Sequence, residues 1–316
     1  MAMHVEPSLI GVDVSKAELV IRQSWSSNLV KLGNERKAID SYLKALTGPV
    51  CLAVEATNIF HVLLIERAHA LGHAVYVIDG LRLKRYRESM GGRAKTDASD
   101  AALLLRYLTH EKSDLRPWTP PPAGYATVQR LLRRRSVLVQ AQTTLRQSLQ
   151  CLPELKASVR AMLARMKHMQ HLIDQRLAQT LKRQGWKGDV RRCQGIEGID
   201  PITAAALTLI FHRGAFKSAD AYIAFIGMDV RVRESGTFSG RRKLTKKGDP
   251  ELRRLLYMAA MTACRSSTWK PFYERALARG LSCIQALVAL GRKLARIAFA
   301  LLKTQSDYVP KVVQVA

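Results

Sequence analysis

Leu9-Ile10-Gly11-Val12-Asp13-Val14-Ser15-Lys16 reads as an apolar run of strand length with a single carboxylate set inside it. An ionised acid in a buried strand is costly unless it is paired or holds a metal, so Asp13 needs a reason to be there. Val50-Cys51-Leu52-Ala53-Val54-Glu55-Ala56-Thr57 repeats the pattern, with Glu55 where a strand should give way to a helix. Acids at strand ends of an open α/β sheet face the crevice in which ligands bind. A third stretch, Lys95-Thr96-Asp97-Ala98-Ser99-Asp100-Ala101-Ala102, sets Asp97 and Asp100 at i and i+3, neighbours on one face if the following apolar run is helical. That pair has two readings. One is a solvated first helical turn with Asp97 or Ser99 as its cap. The other is part of a site for a hard divalent cation such as Mg²⁺, which prefers carboxylate oxygen. A strand acid, a strand-end acid and a helix with two more form the layout of a two-metal phosphoryl-transfer site, whose ions, roughly 3.5–4 Å apart, clamp the attacking and leaving oxygens.

Outward from these segments, residues 8 to about 110 alternate between strand and helix signals. Strands are expected at Leu9 to Val14, Leu19 to Trp25 and Leu29 to Leu32 as an antiparallel meander. A helix over Ala38 to Leu46 stops at Thr47-Gly48-Pro49. A buried strand over Val50 to Val54, a helix over Ile59 to Leu71 and a strand over Ala74 to Ile78 follow. Three strands, helix, strand, helix, strand, helix is the order of a ribonuclease-H-like fold, which puts acids on its first and fourth strands and on a late helix.

The chain of 316 residues exceeds one typical domain, and 47% hydrophobic residues suffice for a sizeable core. Fifty-one basic residues stand against 25 acidic ones, a net charge of +26, which favours a polyanion and above all nucleic acid. A membrane is not expected as a partner: the most apolar stretch, Ile284 to Leu302, is broken by Arg292, Lys293 and Arg296. No secretory signal is read at the start, and five scattered cysteines without a C-x-x-C pair suit reduced thiols, so a cytoplasmic location is expected.

Between the last strand and the acidic helix lies a strongly basic segment with Lys84, Arg85, Arg87, Arg93 and Lys95. Contact with a phosphate backbone and a merely solvated basic face are equal readings of it. Arg116-Pro117-Trp118-Thr119-Pro120-Pro121-Pro122-Ala123-Gly124 cannot continue a helix and marks a linker. Tyr125 to about Gln184 is nearly all helix former, interrupted by Pro153, so two long helices are expected there. Helices of that length pair in a hairpin or in a coiled-coil dimer, and Arg133 and Arg134 belong to a basic stripe on them. The arm is read as an oligomerisation device that also touches nucleic acid. Three parts result: residues 1–115 with the acidic tetrad, 116–186 as linker and coiled-coil arm, and 187–316 as a mainly α domain.

In the last part, the stretch from Gly195 to Ala206 resembles a helix-hairpin-helix turn, whose backbone N–H groups hold a phosphate, although a glycine turn into a packed helix looks the same. Residues 231–250 form a basic, glycine-rich loop with Arg231, Arg233, Arg241, Arg242, Lys246 and Lys247 around Ser235 and Ser239. Such a loop could present a serine nucleophile to a phosphodiester whose charge the arginines neutralise. Taken alone, it reads first as an ordinary phosphate-binding loop.

Together these motifs resemble the transposases of the one-hundred-and-ten family of bacterial insertion sequences, relatives of the Piv-type DNA invertases. The resemblance runs over almost the whole chain, through Gly11-Val12-Asp13-Val14-Ser15-Lys16, Glu55-Ala56-Thr57, the Lys95 to Ala101 segment, the Gly198 turn, Glu234-Ser235-Gly236, and Thr245-Lys246-Lys247-Gly248 before Leu252-Arg253. It implies a RuvC-like amino-terminal domain whose acids Asp13, Glu55, Asp97 and Asp100 hold Mg²⁺, and Ser235 as the nucleophile that forms a phosphoserine link to DNA. Ser239 is the alternative nucleophile. It also implies double-stranded donor and target DNA as partners, a guide (bridge) RNA encoded by the element, and a homodimer or homotetramer. Two departures stand out: the family's Pro-Gly-Ile-Gly-Pro turn reads Glu197-Gly198-Ile199-Asp200-Pro201, with an acid where phosphate would approach, and Thr245 replaces the more usual serine. The rival enzyme is a metal-dependent, Holliday-junction-resolvase-like endonuclease that would use the same acids with water as nucleophile. A basic scaffold without chemistry leaves Asp13 unexplained.

Overall fold

The computed structural model describes residues 8–91, 96–231, 234–235, 238–239 and 243–310, with the backbone alone at 234–235 and 238–239. It divides the chain into two units, residues 1–120 and 121–316.

In the first unit, β1 (Leu9–Val14), β2 (Glu18–Gln23) and β3 (Leu29–Gly33) form the meander, followed by α1 (Arg36–Lys44), β4 (Cys51–Glu55), α2 (Val62–Ala70), β5 (Ala74–Ile78), α3 (Gly80–Ser89) and α4 (Asp97–Glu111). The sheet order is β3-β2-β1-β4-β5, with β1 antiparallel to β2 and parallel to β4. This mixed α/β sheet is the ribonuclease-H-like arrangement expected from the element order. β2 ends at Gln23 rather than Trp25, which is half exposed beyond the strand. β1 and β4 are buried along nearly their whole length because helices cover both faces, which explains their unbroken apolar runs. On one face Ile39 and Leu43 of α1 and Leu64 and Ile65 of α2 join the core with Ile10, Val12 and Val54. On the other, Leu104 and Leu108 of α4 pack with Ala53 and Ile78. Trp118 of the proline-rich segment is tied to the sheet edge, its N–H donating to Val75 O at 2.6 Å and its indole edge-on to His69.

In the second unit, α5 (Tyr125–Ser148) and α6 (Lys156–Arg183) pack on each other, with a short 3₁₀ turn at Pro153–Leu155 between them. Arg135 Nε donates to Asp174 Oδ1 across the pair at 2.6 Å. At the base of this hairpin, Tyr125, Val128, Leu177 and Leu181 share one apolar cluster with Trp186, Ala205 and Leu209. Beyond it come α7 (Lys187–Gln194), α8 (Pro201–Arg213), α9 (Ala219–Ile226), α10 (Pro250–Ala263), α11 (Lys270–Ala278) and α12 (Cys283–Thr304). α8, α9, α10 and α12 converge on a core that includes Tyr222, Leu256, Leu290 and Leu294. Tyr222 is fully buried, and its hydroxyl donates to Leu207 O at 2.8 Å. Between α9 and α10 stands a narrow ribbon of four two-residue strands, β6 (Val230–Arg231), β7 (Glu234–Ser235), β8 (Phe238–Ser239) and β9 (Lys243–Leu244). Among the described residues no helix is long and apolar enough to cross a membrane.

Candidate active site

The acidic site begins with register. β1 and β4 pair in parallel up to Val12 opposite Val54, so Asp13 and Glu55, the next residue of each, stand side by side near the carboxyl ends of the two strands. Residues 11 and 13 share a face of β1. On that face α4 approaches unusually closely: a Cβ at Gly11 would lie 2.2 Å from Ala101 O and 2.4 Å from Leu105 N. Because Asp97 and Asp100 precede Ala101 in the first turn of α4, this contact carries their carboxylates towards Asp13. The electrostatics agree: the Asp13 carboxyl is pushed up to about 6, first by burial, then by the charges of Asp100 and Asp97, with a smaller contribution from Glu55. A hydrogen bond with the Val14 backbone acts in the opposite direction.

α4 is capped by neither of the residues expected. Thr96 is the cap, its Oγ1 accepting from Ser99 N at 3.2 Å while Ser99 Oγ accepts from Thr96 N at 2.8 Å. This capping box satisfies the first turn without using a carboxylate. Asp97 is exposed, whereas Asp100 is buried and accepts from Arg87 Nη2 of α3 at 2.5 Å. At its other end α3 abuts Glu55, since a Cβ on Gly80 would fall 2.4 Å from Glu55 Oε1. One helix therefore touches both flanks of the acidic cluster.

Among the described residues no three His, Cys, Asp or Glu side chains stand as a ready-made ligand set. The donor chemistry nevertheless fits a hard divalent cation: the carboxylates acting on Asp13 offer the oxygen donors such an ion prefers, and their mutual repulsion is what a cation would relieve. Asp13, Glu55, Asp97 and Asp100 are the residues that could hold it.

The serine segment belongs to the other unit. Val230 pairs with Leu244 and Arg231 with Lys243, while Glu234 pairs with Ser239 and Ser235 with Phe238. Only two residues separate Ser235 from its partner Phe238, so Ser235 is the last strand position before the reversal and Ser239 lies one step nearer the base. The base is firmly tied. Thr245 N donates to Asp229 O at 3.0 Å, Thr245 Oγ1 donates to Asp229 Oδ1, and Arg253 Nη1 donates to Gly248 O at 2.9 Å and to Ile226 O at 3.3 Å.

The Gly198 turn differs from a phosphate-holding hairpin. Asp200 caps α8, its Oδ1 accepting from Thr203 N at 2.7 Å, so the chain's own carboxylate takes a donor that a phosphate would need. Glu197 is also spoken for: Thr268 Oγ1 donates to it at 2.8 Å and Trp269 Nε1 at 3.1 Å.

Of the basic residues read as nucleic-acid contacts, Lys84, Arg85, Arg133, Arg134, Arg231, Lys246 and Lys247 are exposed. Lys84 lies 3.9 Å from Glu88. Arg87 is committed to Asp100, and Arg93, Lys95, Arg233, Arg241 and Arg242 lie outside the described residues. Gly11 was readable only as part of a motif, although a glycine inside a strand is itself a sign of close backbone approach. The anchoring of Asp229 to Thr245 left no signal, since the two are 16 positions apart with the ribbon between.

Residues 10–180 match a family model described as Transposase, the DEDD transposases of IS110, and residues 190–274 match the Transposase IS116/IS110/IS902 family. The chain is similar to the pilin gene-inverting proteins of Moraxella lacunata, 25% identical, and Moraxella bovis, 24% identical, each match covering 96% of this chain and 98% of the relative. It is also 28% identical to a probable family 20 transposase of Pseudomonas aeruginosa, over 83% of this chain and 87% of the relative.

Proposed function

The chain belongs to the IS110 family of transposases, enzymes that cleave and rejoin DNA with a divalent metal, and from that membership we propose a specific chemistry for it. Asp13, Glu55, Asp97 and Asp100 hold Mg²⁺, and Ser235 is the nucleophile. The observation that carries the acidic half is geometric: Asp13 and Glu55 stand side by side on paired parallel strands, and the close contact at Gly11 brings the first turn of α4, with Asp97 and Asp100, against β1. When bound, magnesium would neutralise charge on the phosphodiester and favour ionisation of the attacking hydroxyl. The remainder is the work of this chain. Asp13 must be ionised to serve, and α4, seated on Gly11, fixes its carboxylates relative to the sheet. Ser235 Oγ attacks phosphorus, forming a phosphoserine bond as the bond to one deoxyribose oxygen breaks, and that oxygen leaves as a hydroxyl. Attack by a deoxyribose hydroxyl of another strand then rejoins DNA and frees the serine.

Double-stranded donor and target DNA are the substrates in this reading, and a guide (bridge) RNA encoded by the element selects them. The net charge of +26 supports two polyanionic partners. Residues 1–115 carry the acids, 116–186 form a coiled-coil arm joining subunits into a homodimer or homotetramer, and 187–316 present the serine. Denaturing gels of reactions with labelled DNA should trap a covalent protein–DNA adduct that disappears in Ser235→Ala and persists in Ser239→Ala. Cleavage by Ser235→Ala without any adduct in the parent would instead establish a water-using nuclease. Guidance is tested by RNA recovered with the protein: recombination that survives nuclease removal of all RNA excludes it.

A further inference from the structure

Beside the base of the ribbon, the first half of α12 leaves an open groove of about 660 Å³. Its walls are apolar, with Leu244 from β9, Leu281 just before α12, and Ile284 and Val288 on it. Ile284 is 65% exposed, a large apolar side chain left in solvent on a helix whose other apolar residues are mostly buried. The charged residues lining the groove are Lys243 and Arg292, both cationic.

Arg292 is the unusual member. It is partly buried, its Nε is fully buried, and that Nε has no hydrogen-bond partner. Among the described residues no carboxylate pairs with it, whereas Arg296 one turn along the same helix pairs with Asp220. A guanidinium offers five N–H donors and cannot shed its charge. Leaving such a group half-buried with no counter-charge among the described residues is unfavourable, and an anion brought against the guanidinium from the groove would offset that charge. A free inorganic anion would satisfy the arginine but would leave the apolar wall in water. A nucleotide strand satisfies both, with phosphate on the cations and a base or sugar on the aliphatic surface. The groove also lies within the size range of pockets that hold small organic groups.

We propose that this groove is a subsite for a single nucleic-acid strand, with one phosphodiester held by Arg292 and Lys243 and the adjoining nucleoside laid on Leu281, Ile284 and Val288. It deepens the DNA-joining reading by giving the strand a seat at the root of the serine ribbon, and it rests on that reading only in taking the strand to be the enzyme's own substrate.

Binding is measured by fluorescence anisotropy with a labelled oligothymidine 12-mer, on full-length Ser235→Ala protein in chelator, so neither metal nor the serine affects the result. One phosphate contact on a single strand carries a log–log salt slope of about 0.7, or roughly fivefold in affinity at 0.1 M salt. Arg292→Gln should therefore weaken binding about fivefold and flatten the salt dependence by about 0.7. Ile284→Asp should weaken it comparably, while Arg279→Gln, an exposed arginine outside the groove, should change it far less. The Arg292→Gln protein should melt no lower than the parent, because it loses a half-buried charge that no described carboxylate pairs with. A 5-iodouracil photocrosslink should map to the peptides around 243–244 or 281–288. Unchanged affinity and slope in Arg292→Gln, an equal loss in Arg279→Gln, or crosslinks confined elsewhere would each overturn the proposal. Persistence of the covalent adduct in Ser235→Ala would sink the serine reading and leave this one standing.

Discussion

Gly11→Ala is the sharpest probe of how the acidic cluster is assembled. The added methyl would start 2.2 Å from Ala101 O and 2.4 Å from Leu105 N, both backbone atoms of α4, so no side-chain rotation can make room for it. Restoring an ordinary contact of 3.4 Å requires the helix to retreat about 1.2 Å along that line. Overpacking of this kind costs about 1–3 kcal/mol, which for a unit of this size lowers the melting midpoint by roughly 3–12 °C. The functional cost should be larger than the stability cost. A displacement on the order of 1 Å at a reacting centre is worth about a hundredfold in rate, and α4 carries two of the four acids. As Asp100 and Asp97 recede, the Asp13 carboxyl should also fall back from about 6 towards its usual range. Differential scanning calorimetry, a DNA-joining assay at saturating metal, and NMR titration of Asp13 read the three effects separately. Gly33→Ala in the same sheet is the control, because its Cβ would meet nothing nearer than 3.6 Å. A Gly11→Ala protein that melts, titrates and recombines like the parent would refute the idea that close packing at this glycine places the acids.

Three further outcomes follow from the same geometry. Arg87→Gln strips the buried Asp100 of its counter-charge; with Arg87 one-fifth exposed the loss should be about 2–3 kcal/mol, less than for a fully buried pair. Millimolar magnesium should restore most of that stability in a melting experiment, and absence of metal-dependent recovery would count against a cation beside Asp100. For Asp13, a folded-state carboxyl raised to about 6 favours the neutral form, so its contribution to stability is greatest below the ordinary range near 3.8 and is lost as pH rises through about 6. Metal binding runs the other way, weakening as pH falls below about 6 and releasing a proton near that pH; calorimetry in buffers of different ionisation enthalpy should detect the proton, and identical heats would contradict the assignment. Asp189→Asn tests the second unit, where a buried carboxylate accepts from Arg192 Nη1 at 3.1 Å and Gln305 Nε2 at 3.1 Å and lies 2.8 Å from His212 Nε2. Urea unfolding should show a loss of about 2–4 kcal/mol, and a change under about 1 kcal/mol would mean that the network is dispensable.

Much of the amino-terminal architecture was legible because two short-range signals agree there. Apolar runs of five or six residues, punctuated by Gly and Pro, announce buried strands, and their order constrains the sheet. The caps were legible in kind but not in identity. Thr96 won over Asp97 and Ser99 because the Thr-x-x-Ser spacing satisfies two N–H groups at once. Asp200 before Pro201 is a recognisable helix start and an acid where phosphate would approach, yet only the structure showed that its carboxylate accepts from Thr203 N and so takes that donor itself.

From the sequence alone came the element order of the sheet, the positions of Asp13 and Glu55 at or near strand ends, and the excess of positive charge, all set by local periodicity and composition. Only the tertiary structure decided that α4 seats on Gly11, that Arg87 is spent on Asp100 rather than left for phosphate, and that Arg292 lines an open groove with its Nε unpartnered among the described residues. Those outcomes depend on which residues distant in the chain come within a few ångströms of one another, and neither burial of a charge nor clash of a methyl group exists until the packing does.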